Sequence, residues 1–366
     1  MKAYIVEKDR LKNNIDLVRQ AASGRAIYGV LKGNGYGLGL TQLARELRDC
    51  GIERFAVNEP GDALKLRMAG FIDEEILVMN STSIEADILD ILEAKAVATI
   101  GSYEAAVKLN GIAEARGEIL EAHVKIDTGM GRYGFAPGET DKILSLYRFM
   151  PKIAVTGLYS HSNMAFSAAK TADEQKTALL GVAGVIREAG FDPGCIHMAN
   201  SAFLFGHDLE GTDAVRVGSA FLGRMAAKTR GNSGLQPVGY AEAEVGEIRW
   251  LEAGHTVGYG AACTCREATR IAVIPFGYSD GFGVARENDL FRFRDKLRYL
   301  FHDVKLFFRR KRLYVTINGK RAVVLGHIGM VHTIVDVTKI PCEIGDTARF
   351  ELSPLYANPM LERVYR

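Results

Sequence analysis

Net charge is nearly absent: 46 lysines and arginines against 44 acidic residues leave the 366-residue chain at +2. Nothing global therefore points to nucleic acid or a membrane as a partner, and neither is expected. Long hydrophobic runs are missing too. The opening "MKAYIVEKDRLKNN" contains no long apolar run, so neither a signal peptide nor a membrane anchor is expected, and the cytoplasm is the default compartment. Cysteine is scarce: Cys50, Cys195, Cys263, Cys265 and Cys342 form an odd, scattered set, which speaks for free thiols rather than a disulfide framework. Cys263 and Cys265 lack a His or Cys partner nearby. On a strand they face the same way, so two small buried residues are expected there and no metal site.

What is present is an ordinary globular composition, 48% hydrophobic and 25% charged, in a chain long enough for one large domain and a smaller one. Over the first two-thirds, short apolar runs alternate with amphipathic stretches. Leu11, Ile15 and Val18 have helical spacing. "AIYGVL", "RFAVN", "EILVMN", "AVATIG", "AHVKID", "VTGLYSH", "CIHMAN" and "DAVRVG" read as strands with helical segments between them. Eight strands in a βα rhythm predict a closed (β/α)8 barrel of the TIM type over residues 1–231, in preference to an open doubly wound sheet.

From about Gly231 the texture changes to strand-like runs separated by Gly and Asn turns, and residues 232–366 are expected to form a mostly β domain. Between its strands lies a segment, about 286–312, dense in Arg, Lys and Phe. It could bind RNA or a membrane. The reading favoured by sequence is an insertion that hides its Phe and Leu on the domain and shows its arginines to water.

The stretch "YGVLKGNGYGLGL" ends an apolar strand on Lys32 and then places Gly33, Gly35, Gly37 and Gly39 around Tyr36. The order of a phosphate-binding P-loop is reversed here, and the glycine spacing is not that of a dinucleotide loop. A reactive amine at the mouth of the barrel, with its pKa lowered by desolvation, fits. So does a structural lysine snorkelling from a strand end. Other strand ends carry polar residues at the same level: Lys125 and Arg132, His161, Asn200 with Ser201, and Arg216 followed by Gly218 and Ser219. Barrels commonly bind phosphate with the loops after strands seven and eight, where Ser201, Gly218 and Ser219 fall. A phosphate opposite a reactive lysine suggests pyridoxal 5'-phosphate.

"VLKGNGYGLG", "VKIDTGMGRYGF", "YSHSNMA", "MANSA", "VRVG", "GYGAACTCREATRIAVIPFGYSDGFG" and "VLGHIGM" follow the order and spacing of the pyridoxal phosphate-dependent alanine racemases, which the chain resembles over nearly its whole length. The resemblance implies an N-terminal cofactor barrel, a C-terminal β domain and a head-to-tail homodimer with shared active sites. It implies that Lys32 bonds the cofactor and is one catalytic base, and that Tyr259 is the second, acting in the partner's site. Tyr36, Ser201, Gly218 and Ser219 match phosphate contacts, while His161 and Asn200 lie near the cofactor. Arg216 matches the arginine that faces the ring nitrogen, with His197 behind it. Arg132 and the backbone at Met330 match positions that hold the substrate carboxylate, and Tyr278 matches the tyrosine at the substrate entrance. Lys125 matches a lysine that some members carry as a carbamate bridging to the arginine.

One motif departs from the family pattern. "GMVHT" puts Val331 where an acidic residue is expected, which removes a charge from the pocket wall and opens the alternative of a racemase preferring serine or another amino acid. Further alternatives are a non-catalytic cofactor carrier, or a decarboxylase or aldolase on the same barrel type. Tyr259 and the β region favour the racemase.

Overall fold

The computed structural model describes the chain except residues 164, 166–168, 226–230, 286–292 and 309–311. Its strands, in chain order, begin with β1 (Lys2–Val6). Eight barrel strands follow: β2 (Ala26–Val30), β3 (Arg54–Val57), β4 (Glu75–Ser81), β5 (Val97–Ile100), β6 (Leu120–Lys125), β7 (Ile153–Tyr159), β8 (Cys195–His197) and β9 (Ala214–Val217). All neighbours among β2–β9 are parallel, and pairing of β2 with β9 (Tyr28 opposite Arg216) closes the ring. These are the eight runs expected from the sequence. They are nearly continuous in apolar residues because a parallel strand between barrel interior and helices is covered on both faces. The helices supply the outer layer through apolar stripes, for example Leu11, Ile15 and Val18 on Lys8–Ala22. Tyr28, Val30, Ala56, Leu77, Val97 and Ala214 fill part of the interior.

The second unit contains β10 (Gly239–Glu244), β11 (Glu247–Leu251), β12 (Thr256–Val257), β13 (Cys263–Thr264), β14 (Thr269–Ile274), β15 (Tyr314–Ile317), β16 (Lys320–Val324), β17 (Thr333–Asp336), β18 (Thr347–Phe350) and β19 (Glu362–Tyr365). Its nine-stranded sheet runs β11-β14-β17-β16-β15-β18-β10-β1-β19. Here the expected boundary shifts. The compact units are Lys8–Val238 and Met1–Glu7 with Gly239–Arg366, so the first residues leave the barrel. β1 pairs antiparallel with β10 and parallel with β19, and Ala3, Tyr4, Ile5 and Val6 are all buried. Five residues carry too little periodicity to reveal a partner more than 230 positions away.

All five cysteines are free thiols. Cys265 belongs to a cluster with Leu251, Val257 and Ile271, and Cys263 packs against it. A second correction concerns the basic insertion. Its described part contains the helix Phe293–Phe308, but Phe293, Leu300, Phe301 and Phe307 are exposed rather than hidden on the domain; residues 286–292 and 309–311 lie outside the described residues.

Because Tyr4 is fully buried and its hydroxyl donates to the Leu352 carbonyl at 3.0 Å, Tyr4→Ala should cost about 3–5 kcal/mol in denaturant unfolding. Tyr4→Phe, which loses only the hydrogen bond, should cost about 1 kcal/mol.

Candidate active site

Lys32 follows β2 after one intervening residue, Leu31, and the chain then turns the wrong way round. Gly33, Asn34, Gly35 and Tyr36 all have φ between +54° and +62°, a left-handed turn that costs an L-residue about 1–2 kcal/mol per position. Glycine at 33 and 35 removes that cost at alternate positions. The side chain of Asn34 accepts from Leu40 N at 2.9 Å, tying the turn to the next helix. The result places Tyr36 beside Lys32, whose Nζ is 5.8 Å from the ring centroid. Against that ring lies Gly218: a Cβ there would sit 2.2 Å from Tyr36 Oη. Ser201 Oγ accepts from Gly218 N and Ala220 N, both at 3.3 Å.

These residues line a cavity of about 280 Å³ at the barrel mouth, together with Lys125, Arg132, His161, Asn200, Arg216 and Ser219. Thus the structure brings together the barrel residues singled out in the sequence, all at the cavity wall except His197, which is hydrogen-bonded to Arg216 behind it. Among the described residues, four lysines and arginines line this cavity and no carboxylate does. Desolvation lowers the pKa of Lys32, and the Arg132 and Arg216 charges lower it further. Lys125 is 1% exposed, and its Nζ has no hydrogen-bond partner among the described residues. Burial, then Arg216 and Arg132, bring its pKa down to about 8.

Arg216 is buried at the centre. It donates to the Ser160 carbonyl at 2.7 Å, the His197 carbonyl at 3.3 Å and His197 Nδ1 at 2.6 Å. A guanidinium can only donate, so Nδ1 of His197 must be unprotonated. Its Nε2–H then donates to His123 Nδ1 at 2.9 Å. Both imidazoles are neutral: burial first and the Arg216 charge second hold His123 down at about 3 and His197 well below its ordinary value. His197 is stacked between Tyr159 (4.9 Å, 3°) and Tyr28 (5.2 Å, 24°). His123 needs Gly157 opposite it on β7, where a Cβ would lie 2.5 Å from the imidazole.

Sequence reasoning missed His123, Tyr159 and Asp127. His123 had a signal, since it shares the face of Lys125 two residues on. Asp127 accepts from the backbone N–H groups of Gly129, Met130 and Gly131 at 2.7–3.1 Å, which fixes the start of the loop carrying Arg132. Burial would raise its pKa, but those donors outweigh it and keep the carboxyl below the ordinary range.

Tyr259, Tyr278 and Met330 fall in the β unit. Tyr259 occupies the turn of the β12–β13 hairpin and is 80% exposed. Tyr278 N donates to Gly329 O at 3.0 Å, and Ser279 N and Oγ donate to Met330 O at 3.0 and 2.7 Å. A Cβ on Gly326 would lie 2.6 Å from Val257 O, so the hairpin strand, the Tyr278 turn and the Gly326–Val331 loop are neighbours within one unit. They present Tyr259, Tyr278, Met330 and Val331 to solvent.

Two family models cover this arrangement: the N-terminal domain of alanine racemase matches residues 6–225 and the C-terminal domain matches residues 238–353. The chain belongs to the alanine racemase family. It is 31% identical over 344 residues to the alanine racemase of Staphylococcus saprophyticus, covering 93% of this chain and 81% of that one. The alanine racemase of Methylacidiphilum infernorum is 29% identical over 340 residues, with 92% and 80% covered. A solved alanine racemase from Clostridium difficile 630 superposes with a TM-score of 0.84 at 25% identity, over 100% of this chain and 95% of that one.

The buried Lys125 generates a pH-dependent stability. Its folded pKa of about 8 lies below the ordinary 10.5, so the unfolded chain binds more protons between those values and wild-type stability rises with pH across that window. In CO2-free buffer, Lys125→Met should therefore be more stable than wild type by on the order of 3 kcal/mol at pH 7. The advantage should vanish above pH 10.5; urea titrations at both pH values check this.

Proposed function

We propose that this chain is a pyridoxal phosphate-dependent amino-acid racemase that interconverts L- and D-alanine, in the cytoplasm, as a homodimer. The observation that carries the proposal is the acid-free cluster of Lys32, Lys125, Arg132 and Arg216 around a cradle that only glycine permits at position 218. A dianionic phosphate and an amino-acid carboxylate both suit that charge, and the space a side chain at 218 would fill is taken by the Tyr36 ring, which glycine alone lets lie against the backbone at the cavity wall. The residues present thus fit the cofactor. Lys32, Tyr36, His161, Asn200, Ser201, Arg216, Gly218 and Ser219 would hold it. When bound, it supplies an electron sink that acidifies the substrate α-proton.

The remaining chemistry belongs to the chain's own residues. Lys32 has a lowered pKa, so its amine is available to bond the cofactor and to move a proton at Nζ. Arg216, lowered by burial to about 10, stays charged at neutral pH and keeps its protons. It offers hydrogen bonds without acting as an acid, which restrains the electron sink. His197 and His123, both neutral, orient it. Arg132 is placed to hold the substrate carboxylate, joined in the proposed dimer by the backbone at Met330 and by Tyr278 at the entrance, both from a second copy. Lys125, neutral in part near pH 8, is the amine that can take up CO2 beside Arg132.

Racemisation requires a proton donor and a proton acceptor on opposite faces of one carbon. We assign the second to Tyr259, which reaches the site of a second copy; an exposed tyrosine amid apolar neighbours suits such an interface. Val331, neutral and half exposed, leaves serine as the alternative substrate to compare with alanine.

Exchange of the α-proton in heavy water, followed by NMR with L- and D-forms of alanine and serine, tests the reading. Lys32→Ala should lose both the visible absorbance of cofactor-loaded protein and all turnover. Tyr259→Phe should retain the absorbance and lose at least about 100-fold in racemisation rate in both directions, because each direction uses both bases. Mixing the two variants should rebuild one complete site per hybrid dimer and recover about a quarter of wild-type activity at equal ratios. No recovery from variants that do exchange subunits would exclude a shared site.

A further inference from the structure

The helix Phe293–Phe308 plays no part in the site described above. Phe293, Leu297, Leu300, Phe301, Val304 and Phe307 stand at i, i+4, i+7, i+8, i+11 and i+14, a single stripe along its length. Such a stripe is normally buried. Here its members are 74%, 38%, 58%, 70%, 48% and 85% exposed, so an entire apolar face is open to water. Arg294, Arg298 and Lys305 lie at i, i+4 and i+11 along one border of that face, and all three are exposed. The charge is concentrated there as well. Residues 286–312 hold ten basic and four acidic side chains in a chain of net +2, so the rest of the protein is net negative.

We infer that this helix docks on an anionic lipid bilayer surface, lying flat with Phe301 and its stripe in the acyl boundary and the flanking arginines and lysine among the headgroups. Charge complementarity selects this occupant. Anionic headgroups satisfy the basic border, and the adjacent apolar layer satisfies the stripe, which is the pattern of an interfacial helix. Nucleic acid would meet the cations but leave six large apolar side chains in water. A second copy of the same helix would cover the stripe while bringing the like-charged borders together. No described helix is long and apolar enough to cross a membrane, so the attachment is peripheral. The proposed docking departs from the expectation that no membrane is involved, which rested on a near-zero total charge that averages a basic helix against an acidic remainder.

The test is flotation of the full-length, cofactor-loaded protein with vesicles of phosphatidylglycerol and phosphatidylcholine, compared with pure phosphatidylcholine vesicles. Binding to the anionic vesicles should be at least tenfold tighter. The double variant Phe301→Ser/Phe307→Ser should lose at least tenfold, as should Arg294→Glu/Arg298→Glu, both with unchanged racemisation rates, since neither pair touches the catalytic machinery. Absence of binding to either vesicle type would overturn the inference. So would binding that survives the serine variant, which would be charge attraction alone, or a fall in sedimentation mass caused by that variant without lipid, which would mean the stripe pairs with another copy. Tighter binding to single-stranded RNA than to anionic vesicles would equally overturn it.

Discussion

A guanidinium buried at the barrel mouth with no carboxylate to pair with among the described residues, Arg216, sets the terms for the groups around it. A charge removed from water needs several aligned dipoles. Here they are two backbone carbonyls, His161 Nδ1 at 3.3 Å and the lone pair of His197. That last contact fixes the His197 tautomer, which fixes the direction of the His197–His123 bond and keeps both rings neutral. Their bulk then dictates a glycine at position 157 and a flanking tyrosine on each side of His197. Burial lowers the pKa of both Lys32 and Lys125, and the field of Arg216, with that of Arg132, adds to it. One buried cation therefore links the packing of the barrel interior to the reactivity of the amines at its mouth.

The left-handed turn after Lys32 is the backbone counterpart of that arrangement. Four successive residues in a conformation that only glycine enters freely would not persist on local preference. The turn is held by the cap from Asn34 to the next helix and by the fit of Tyr36 against Gly218. It does what a right-handed turn would not: it sets the lysine and a tyrosine hydroxyl at the same cavity within five residues. Both devices use glycine at positions where a neighbouring ring lies against the backbone, so rigidity at this site comes from close approach as much as from hydrogen bonds.

The β unit is organised differently. Its central strands are covered, whereas the Tyr259 hairpin, the Tyr278 turn and the helix Phe293–Phe308 present large apolar side chains to solvent. Exposed groups of this kind are expensive to maintain unless something covers them. The proposed homodimer would cover the hairpin group with a second copy of the chain, and the proposed lipid surface would cover the helix with its basic border.

Much of this was legible in the sequence. The eight barrel strands could be read because parallel strands buried on both faces leave unbroken apolar runs, a property of each segment alone. Lys32, Tyr36, Ser201 and Arg216 were recognisable because their chemistry sits in short motifs. The lengths of the βα units carried those motifs to one end of the barrel. Only the tertiary structure decided that β1 belongs to the far sheet, because its partners lie hundreds of residues away and five residues hold no record of them. Only it supplied the His123–His197–Tyr159 stack, which depends on register between strands. And only it showed the Phe301 stripe bare: periodicity tells which residues share a face, but whether that face is covered depends on what else the chain brings against it.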